Sequence, residues 1–235
     1  MYQYYWIANL LVKMDTFGEN LRLALPYGVE QVSEPDITIE ADYSSLRAKF
    51  PQMSDEVCEY LSCGKDFYKK LLDFDGMMLH ASAIAVDGKA YLFSADSGVG
   101  KSTHTRLWRQ VLGEERVIVL NDDKPAMRKE NGIWYAYGTP WSGKHGINQN
   151  LCYPIGGICF LERAQINRIE PYEGADMVFQ FMKQTYRYDN DLQVRLKILA
   201  YIDSLVKHIP IWRLQCNMEE SAATLAYEVM TKSIL

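Results

Sequence analysis

The chain has 235 residues, of which 48% are hydrophobic and 23% are charged. This composition is typical of a globular protein with a buried core, and the length fits one domain or one domain with an extension. Lys and Arg number 25 against 30 Asp and Glu, which gives a net charge of -5. That charge excludes a global attraction to nucleic acid or to an anionic membrane, so any anion site has to be local.

The start of the chain is expected to be a strand and not an export signal. Residues 1–14 are aromatic and apolar, but they have no basic leader, no long apolar core and no small-residue cleavage site. No segment approaches the roughly 18 nearly uncharged apolar residues of a membrane span. The five cysteines are odd in number and lack paired CxxC spacing, which argues against a disulfide framework or a zinc site. We therefore expect a soluble, cytoplasmic protein with reduced thiols.

Short apolar runs broken by Gly and Pro predict a β-rich N-terminal region, residues 1–74, packed on the core. Between residues 54 and 72, apolar side chains recur at helical spacing with an interruption at Gly64, so one broken helix or two short helices are expected. The strands predicted before this helix are 4–11, 21–25 and 37–39.

From residue 75 to 235 the pattern predicts a mixed α/β domain. A hairpin turns at Asp87-Gly88-Lys89, and its second strand leads into a glycine-rich loop. The helix that follows this loop is expected to end at Gly113. The predicted strands are 77–86, 90–93, 117–120, 133–137, 157–162 and 209–214, and the predicted helices are 103–112, most of the chain after residue 176, and a last helix from about residue 219.

The glycine-rich segment ADSGVGKST, residues 95–103, predicts a phosphate loop, because it lies between a strand and a helix. Gly98 and Gly100 allow successive N-H groups to turn inward at the positive end of the helix. Lys101 would reach the β- and γ-phosphates and Ser102 a magnesium ion. Ala95 replaces the first glycine of GxxxxGK(S/T), and a glycine turn without a ligand is the alternative. The predicted nucleotide-binding residues are Ala95, Asp96, Ser97, Gly98, Val99, Gly100, Lys101, Ser102 and Thr103.

An acidic pair, Asp122 and Asp123, follows the apolar strand 117–120. Beside a bound nucleotide, one carboxylate could hold magnesium while the other accepts a proton from the attacking hydroxyl. An ordinary Asn-Asp-Asp turn after a strand is the alternative. The functional interpretation is favoured because the acidic pair follows a phosphate loop.

The order of His80, ADSGVGKST and Asn-Asp-Asp resembles the catalytic domain of HPr kinase/phosphorylase, over roughly residues 75–165. The resemblance implies a mixed-sheet P-loop domain of the type shared with ATP-dependent phosphoenolpyruvate carboxykinase, here with a β-rich N-terminal extension and a helical C-terminal part. It also implies the catalytic roles: His80 supports the base, Asp122 is the general base, and Asp123 joins Ser102 on magnesium, with Lys101 on the phosphates.

The downstream signature of HPr kinase is missing, and the loop 138–144 looks instead like smaller HPr-kinase-related proteins. Those relatives include free-serine kinases and kinases from peptide-modification gene cassettes. In this loop Trp141 could offer a stacking face and Lys144 a mobile cation, which with Ser142 would form a substrate loop. Equally, Trp141 could simply anchor a surface loop to the core.

Other candidate residues are weaker. Without the motif order, His80 would be read as a core histidine. His104 and His145 are expected to be solvated, and His208 to lie at a helix C-terminus. The tyrosine-rich start is expected to pack in the core. An arginine near the transferred phosphoryl group could come from Arg163, Arg168, Arg187 or Arg195, among which the sequence does not choose. The alternative for each is a solvated or paired residue on a helix face.

The leading hypothesis is an ATP-dependent kinase that transfers the γ-phosphoryl group to a hydroxyl of a small, serine-like molecule or of a peptide or protein. It would use ATP, or another nucleotide phosphoryl donor, and Mg²⁺. A nucleotide-sensing regulatory module without catalysis is the alternative, and a carboxykinase would need a second-metal and oxaloacetate site that this chain lacks. Neither nucleic acid nor a membrane is an expected partner, and a homo-oligomer is left open.

Overall fold

The computed structural model describes residues 3–30, 33–185 and 191–232, which form a mixed α/β fold. The strands are β1 (Gln3–Ile7), β2 (Leu10–Met14), β3 (Gly28–Val29), β4 (Ile37–Thr38), β5 (Gly76–Met78), β6 (Ala81–Val86), β7 (Lys89–Ser94), β8 (Ile118–Asn121), β9 (Ala126–Glu130), β10 (Ile133–Tyr137), β11 (Cys152–Arg163), β12 (Arg168–Pro171) and β13 (Ile211–Cys216). The helices are α1 (Gly18–Ala24), α2 (Tyr43–Lys49), α3 (Asp55–Leu71), α4 (Lys101–Leu112), α5 (Gly174–Gln184), α6 (Leu192–Val206) and α7 (Glu220–Lys232), with 3-10 turns at Leu25–Tyr27, Leu72–Phe74 and Gly143–His145.

The main sheet is curled and mixed, and it is organised around the long strand β11. Its strand order is β5-β9-β10-β11-β7-β6-β8. The first residues of β11 pair antiparallel with β10, and its later residues pair parallel with both β7 and β13, which in turn pairs with β12. Because β7 and β11 are parallel, β11 ends beside the loop that follows β7.

Helices cover both faces of this sheet. On one face, Leu107 and Trp108 of α4 and Ala226 of α7 share a buried cluster with Phe93 of β7. On the opposite face, α5 and α6 bury a second apolar cluster, which includes Phe181. None of the described helices is both long and apolar enough to cross a membrane.

The N-terminal residues build a second, four-stranded sheet with the order β3-β1-β2-β4. A third buried cluster joins Tyr5 and Val12 of this sheet to Phe67 of α3 and to Trp141, so the N-terminal region packs against the rest of the chain. The tyrosine-rich start thus supplies core residues, as expected, although Tyr2 lies outside the described residues. The domain boundary near residue 75 stays a prediction.

Four element predictions were wrong. The predicted strand 4–11 is two antiparallel strands, β1 and β2, which are joined by a turn at Ala8 and Asn9. Residues 21–25 were predicted as a strand but belong largely to α1, where Asn20, Leu23 and Ala24 are buried at helical spacing. Gly64 does not break a helix: α3 is continuous, and a Cβ at Gly64 would lie 2.8 Å from Cδ1 of Trp141. The predicted strand 77–86 is two strands, β5 and β6, which pair with different partners.

Most other elements agree with the sequence. The β6–β7 hairpin, the end of α4 at Gly113, strand β10 and the α5, α6, β13, α7 order are all confirmed. Strands β9 and β12 were missed, because the charged residues Arg128, Lys129 and Glu130 in β9, and Arg168 and Glu170 in β12, hide the apolar alternation.

Candidate active site

The loop between β7 and α4, the predicted phosphate loop, depends on two glycines at positive φ. Gly98 and Gly100 have φ values of +81° and +129°, conformations that L side chains rarely adopt. A Cβ at either glycine would meet no atom closer than 4.0 Å, so the need for glycine there is conformational. Gly100 caps α4 without a side-chain hydrogen bond. Since the first N-H groups of a helix lack intrahelical acceptors, they are available to an anion.

Lys101 is buried at the base of this loop, with 8% of its surface exposed. Its Nζ donates to the carbonyl oxygen of Ala95 at 3.1 Å and lies 3.1 Å from Nε2 of His80. The ammonium group therefore lies between the loop and His80, the residue just before β6.

His80 joins the phosphate loop to the acidic pair. It lies between β5 and β6, and its Nε2 is 3.3 Å from Oδ1 of Asp123. The other carboxylate oxygen of Asp123 pairs with Nζ of Lys124. Burial alone would raise the pKa of Asp123, but the contacts with His80 and Lys124 outweigh it and lower this pKa to about 2. Asp123 is therefore ionised at neutral pH.

Asp122 points to different partners. Its Oδ1 accepts a hydrogen bond of 2.7 Å from Oγ of Ser82, which lies 3.2 Å from Oγ1 of Thr105. Thr105 in turn donates to the carbonyl oxygen of Ser102 at 3.1 Å. Asp122 is thus linked to the first turn of α4, whereas the histidine expected to support Asp122 contacts Asp123 instead.

Gln184, at the end of α5, was missed by the sequence reasoning and orients His80. It is 1% exposed, and its Nε2 donates to Oδ1 of Asp96 at 2.7 Å. Because a carboxylate only accepts, the amide oxygen of Gln184 has to face Nδ1 of His80, 2.9 Å away. Nδ1 therefore carries a proton, and Nε2 faces Lys101 and Asp123. No local pattern marks this glutamine, since the residues it connects are about a hundred positions away in the sequence.

The turn that carries the acidic pair is fixed by Asn121 and covered by Gly143. The side-chain oxygen of Asn121 accepts from the backbone N-H groups of Asp123 and Lys124 at 2.9 and 2.7 Å. Gly143 has a φ of +75°, and a Cβ there would lie 2.8 Å from Cβ of Asp123. The N-H of Gly143 donates to the hydroxyl of Tyr60 at 3.1 Å. The 143–145 turn thus closes against Asp123.

In the loop 138–144, Trp141 packs against the core. Its ring is 1% exposed and stacks on Phe67 at a centroid distance of 4.8 Å. Ser142 is also buried and accepts a hydrogen bond of 2.8 Å from Nδ2 of Asn148, whereas Lys144 is exposed. A substrate role for Trp141, Ser142 and Lys144 stays a prediction.

Among the candidate arginines, Arg163 contacts the phosphate loop. It lies at the end of β11, and its guanidinium donates to the carbonyl oxygens of Val99, at 3.1 Å, and of Gly98. Arg168 pairs with Glu170 at 2.8 Å. Arg195 is exposed on α6, and Arg187 lies outside the described residues.

The prediction that His104 is solvated was wrong. Its ring is 2% exposed, packs edge-to-face on Phe93 and accepts a hydrogen bond of 3.1 Å from Nε1 of Trp108. Burial lowers the pKa of His104 to about 4. His145 is exposed as expected, and Nδ1 of His208 lies 2.8 Å from the carbonyl oxygen of Ser204 just after α6.

Comparison with known proteins assigns the family. The model of the family described as SynChlorMet cassette protein ScmC matches residues 52–223, more than two thirds of the chain. The chain belongs to this family. The ScmC match includes His80, the phosphate loop and the acidic pair. ScmC is a different family from HPr kinase/phosphorylase, so the motif resemblance pointed to a family other than the one to which the chain belongs.

Similarity to solved structures is distant. The Hpr(Ser) kinase/phosphatase from Coxiella burnetii aligns with 66% of this chain and 97% of that chain, at 11% sequence identity and a TM-score of 0.38. No curated protein matches the sequence.

Proposed function

We propose that this ScmC protein is a magnesium-dependent kinase with a P-loop domain of the HPr kinase/phosphoenolpyruvate carboxykinase type. It would transfer the γ-phosphoryl group of ATP, or of another nucleotide donor, to a hydroxyl of a small molecule or a peptide. One observation carries the proposal: Nζ of Lys101, Nε2 of His80 and Oδ1 of Asp123 are linked by contacts of 3.1 and 3.3 Å beside the glycine-rich loop. Phosphoryl transfer needs this combination of an anion cradle, a cation and a carboxylate that orients the nucleophile.

The phosphate loop and Lys101 would hold the triphosphate. The N-H groups at the start of α4 bind its oxygens, and the ammonium of Lys101 exchanges the carbonyl oxygen of Ala95 for the β- and γ-phosphates. The hydroxyl of Ser102 and the carboxylate of Asp122 suit magnesium, which prefers oxygen ligands. Their fit is supported by the Ser82 and Thr105 contacts that link Asp122 to the turn of Ser102. Magnesium, when bound, supplies charge neutralisation on the phosphates.

Asp123 is the better candidate for the base, which reverses the roles implied by the family resemblance. His80 and Lys124 contact Asp123 and keep it ionised, so it can accept a hydrogen bond from the acceptor hydroxyl in place of Lys124. As the new O-P bond forms and the bond from the γ-phosphorus to the leaving nucleotide breaks, the hydroxyl proton passes to Asp123. In a loose transition state the new O-P bond is only partly formed, so the hydroxyl proton passes to the ionised carboxylate late in the reaction.

Two matched substitutions test the roles of the carboxylates. Transfer from γ-labelled ATP to free serine and to pooled serine peptides is measured over a range of Mg²⁺ concentrations. Asp123→Asn is expected to lower kcat by about 10²–10⁴-fold with the same Mg²⁺ requirement, since that is the usual contribution of a base. Asp122→Asn is expected to raise the Mg²⁺ concentration needed for half-maximal rate. Asp203→Asn, on the exposed surface of α6, is the control.

The opposite pattern would contradict this assignment. If Asp123→Asn stays within about tenfold of wild type while Asp122→Asn loses activity at every Mg²⁺ concentration, then Asp122 is the base. Tight nucleotide binding without transfer to any metabolite or peptide would instead indicate the nucleotide-sensing module.

A further inference from the structure

A cleft of about 770 Å³ opens beside the acidic pair. One side is formed by α2 and the residues just before it, the other by α3, and Lys124 and Trp141 line its inner end. Its lining is separate from the phosphate loop, so a nucleotide on that loop leaves the cleft available to a second ligand.

The inner end of the cleft reaches the proposed base. Lys124 lines the cleft and pairs with Asp123, and its Nζ lies 5.9 Å from the ring centroid of Tyr60, which is also part of the lining. Tyr60 in turn accepts the hydrogen bond from Gly143, the residue that packs on Asp123. A ligand that displaces the ammonium of Lys124 therefore arrives at the Asp123 carboxylate from the cleft.

The cleft is larger than a free amino acid requires. Serine has seven non-hydrogen atoms and occupies about 200 Å³ at roughly 30 Å³ for each atom, the share of a water molecule in the liquid. By the same measure the cleft accommodates roughly 25 non-hydrogen atoms, which corresponds to a peptide segment of about three residues. Aromatic and aliphatic side chains, Phe50, Leu61 and Met78 among them, provide apolar contacts along it.

The lining of the cleft carries four lysines against three carboxylates, a formal charge of +1, although the whole chain has a net charge of -5. Two of its three carboxylates already serve the fold: Asp42 caps α2 by accepting from the N-H of Ser45, and Asp66 accepts from Nζ of Lys70 at 2.8 Å. Among residues 3–30, 33–185 and 191–232, no carboxylate forms an ion pair with Lys49 or Lys65. The charged lining residues are Lys49, Lys65, Lys69, Lys124, Glu40, Asp42 and Asp66.

We infer that the acceptor is a peptide segment in which a serine or threonine is flanked, within a few residues, by an acidic and an apolar side chain. This inference rests on the proposed kinase activity. The hydroxyl residue lies at Asp123, the apolar side chain contacts Phe50 and Leu61, and the acidic side chain pairs with Lys65 on α3.

A peptide array tests the inference. Serine-centred peptides, with every residue type placed in turn at the flanking positions, are incubated with labelled ATP and Mg²⁺, alongside free serine in solution. Wild type is expected to label peptides with Asp or Glu and an apolar residue at least tenfold more than their Lys-containing counterparts. Lys65→Glu is expected to raise KM for the acidic peptides about tenfold and to shift the preference towards Lys and Arg. Lys207→Glu, at the end of α6, is the matched charge reversal outside the cleft.

The other outcomes contradict either the peptide inference or the kinase proposal. Labelling of free serine without peptides, or labelling of peptides regardless of their charge, overturns the peptide inference and leaves the kinase proposal intact. An unchanged preference in Lys65→Glu, in a variant whose thermal unfolding matches wild type, also overturns it. If neither free serine nor any peptide is labelled, the proposed kinase function itself fails.

Discussion

Replacing Gln184 by methionine tests whether its amide holds His80. The two side chains are similar in length, so the substitution removes the hydrogen bonds to Asp96 and His80 while largely filling the same buried space. Nδ1-H of His80 then loses its acceptor, and a buried donor without a partner costs about 1–3 kcal/mol. Asp96 still accepts the hydrogen bond of 2.5 Å from Nζ of Lys183, so the loss of its bond to Gln184 costs little stability. We therefore expect the free energy of unfolding to fall by about 2 kcal/mol.

The effect on catalysis is expected to be larger than that on nucleotide binding. With its ring no longer fixed, His80 presents Nε2 to Asp123 less often, and kcat should fall by about 10–100-fold, as small misplacements of catalytic groups typically cause. Urea unfolding gives the stability, single-turnover kinetics gives the rate, and the ¹⁵N chemical shifts of the imidazole report which nitrogen is protonated. Gln110→Met, on the exposed side of α4, is the control. If the Gln184 variant keeps its unfolding free energy within about 0.5 kcal/mol and its rate within twofold, Gln184 does not orient His80.

Three further outcomes are expected. Gly100→Ala should weaken nucleotide binding about tenfold, because an L residue at φ +129° costs about 1–2 kcal/mol. Calorimetry measures the affinity. Gly132→Ala, also at positive φ, is the control and should leave the affinity unchanged. Trp141→Ala should destabilise the protein by about 3–5 kcal/mol in urea unfolding, and a cost below 1 kcal/mol would contradict its role as an anchor. Wild type should lose about 3 kcal/mol of stability as the pH falls from 6.5 to 4, because His104 takes up a proton in the unfolded chain but resists it when buried. His104→Gln should remove this loss. Urea unfolding over this pH range measures the loss, and parallel curves for both proteins would refute the prediction.

Local chemistry made part of the fold and site predictable. The glycines of the phosphate loop, the turn at Asp87-Gly88 and the end of α4 at Gly113 are each determined by neighbours in the sequence. Helices α5, α6 and α7 could be recognised because their apolar residues recur at a helical period over several turns.

Tertiary contacts decided the rest. Gly64 lies inside a helix because Trp141, far along the chain, approaches it closely, and His104 is buried because Trp108 and Phe93 surround it. His80 pairs with Asp123, whereas Asp122 accepts a hydrogen bond from Ser82 of β6, a contact that no sequence pattern records.

Arg163 has a consequence for how the loop would meet its ligand. A peptide that turns its N-H groups towards an anion has to point carbonyl oxygens the other way, and the guanidinium at the end of β11 occupies that outer side, at Gly98 and Val99. The conformation needed for binding is therefore supported before any phosphate arrives, so less of the interaction energy is spent on ordering the loop. If the predicted phosphate loop binds a nucleotide as proposed, this contact from β11 would raise the affinity through preorganisation.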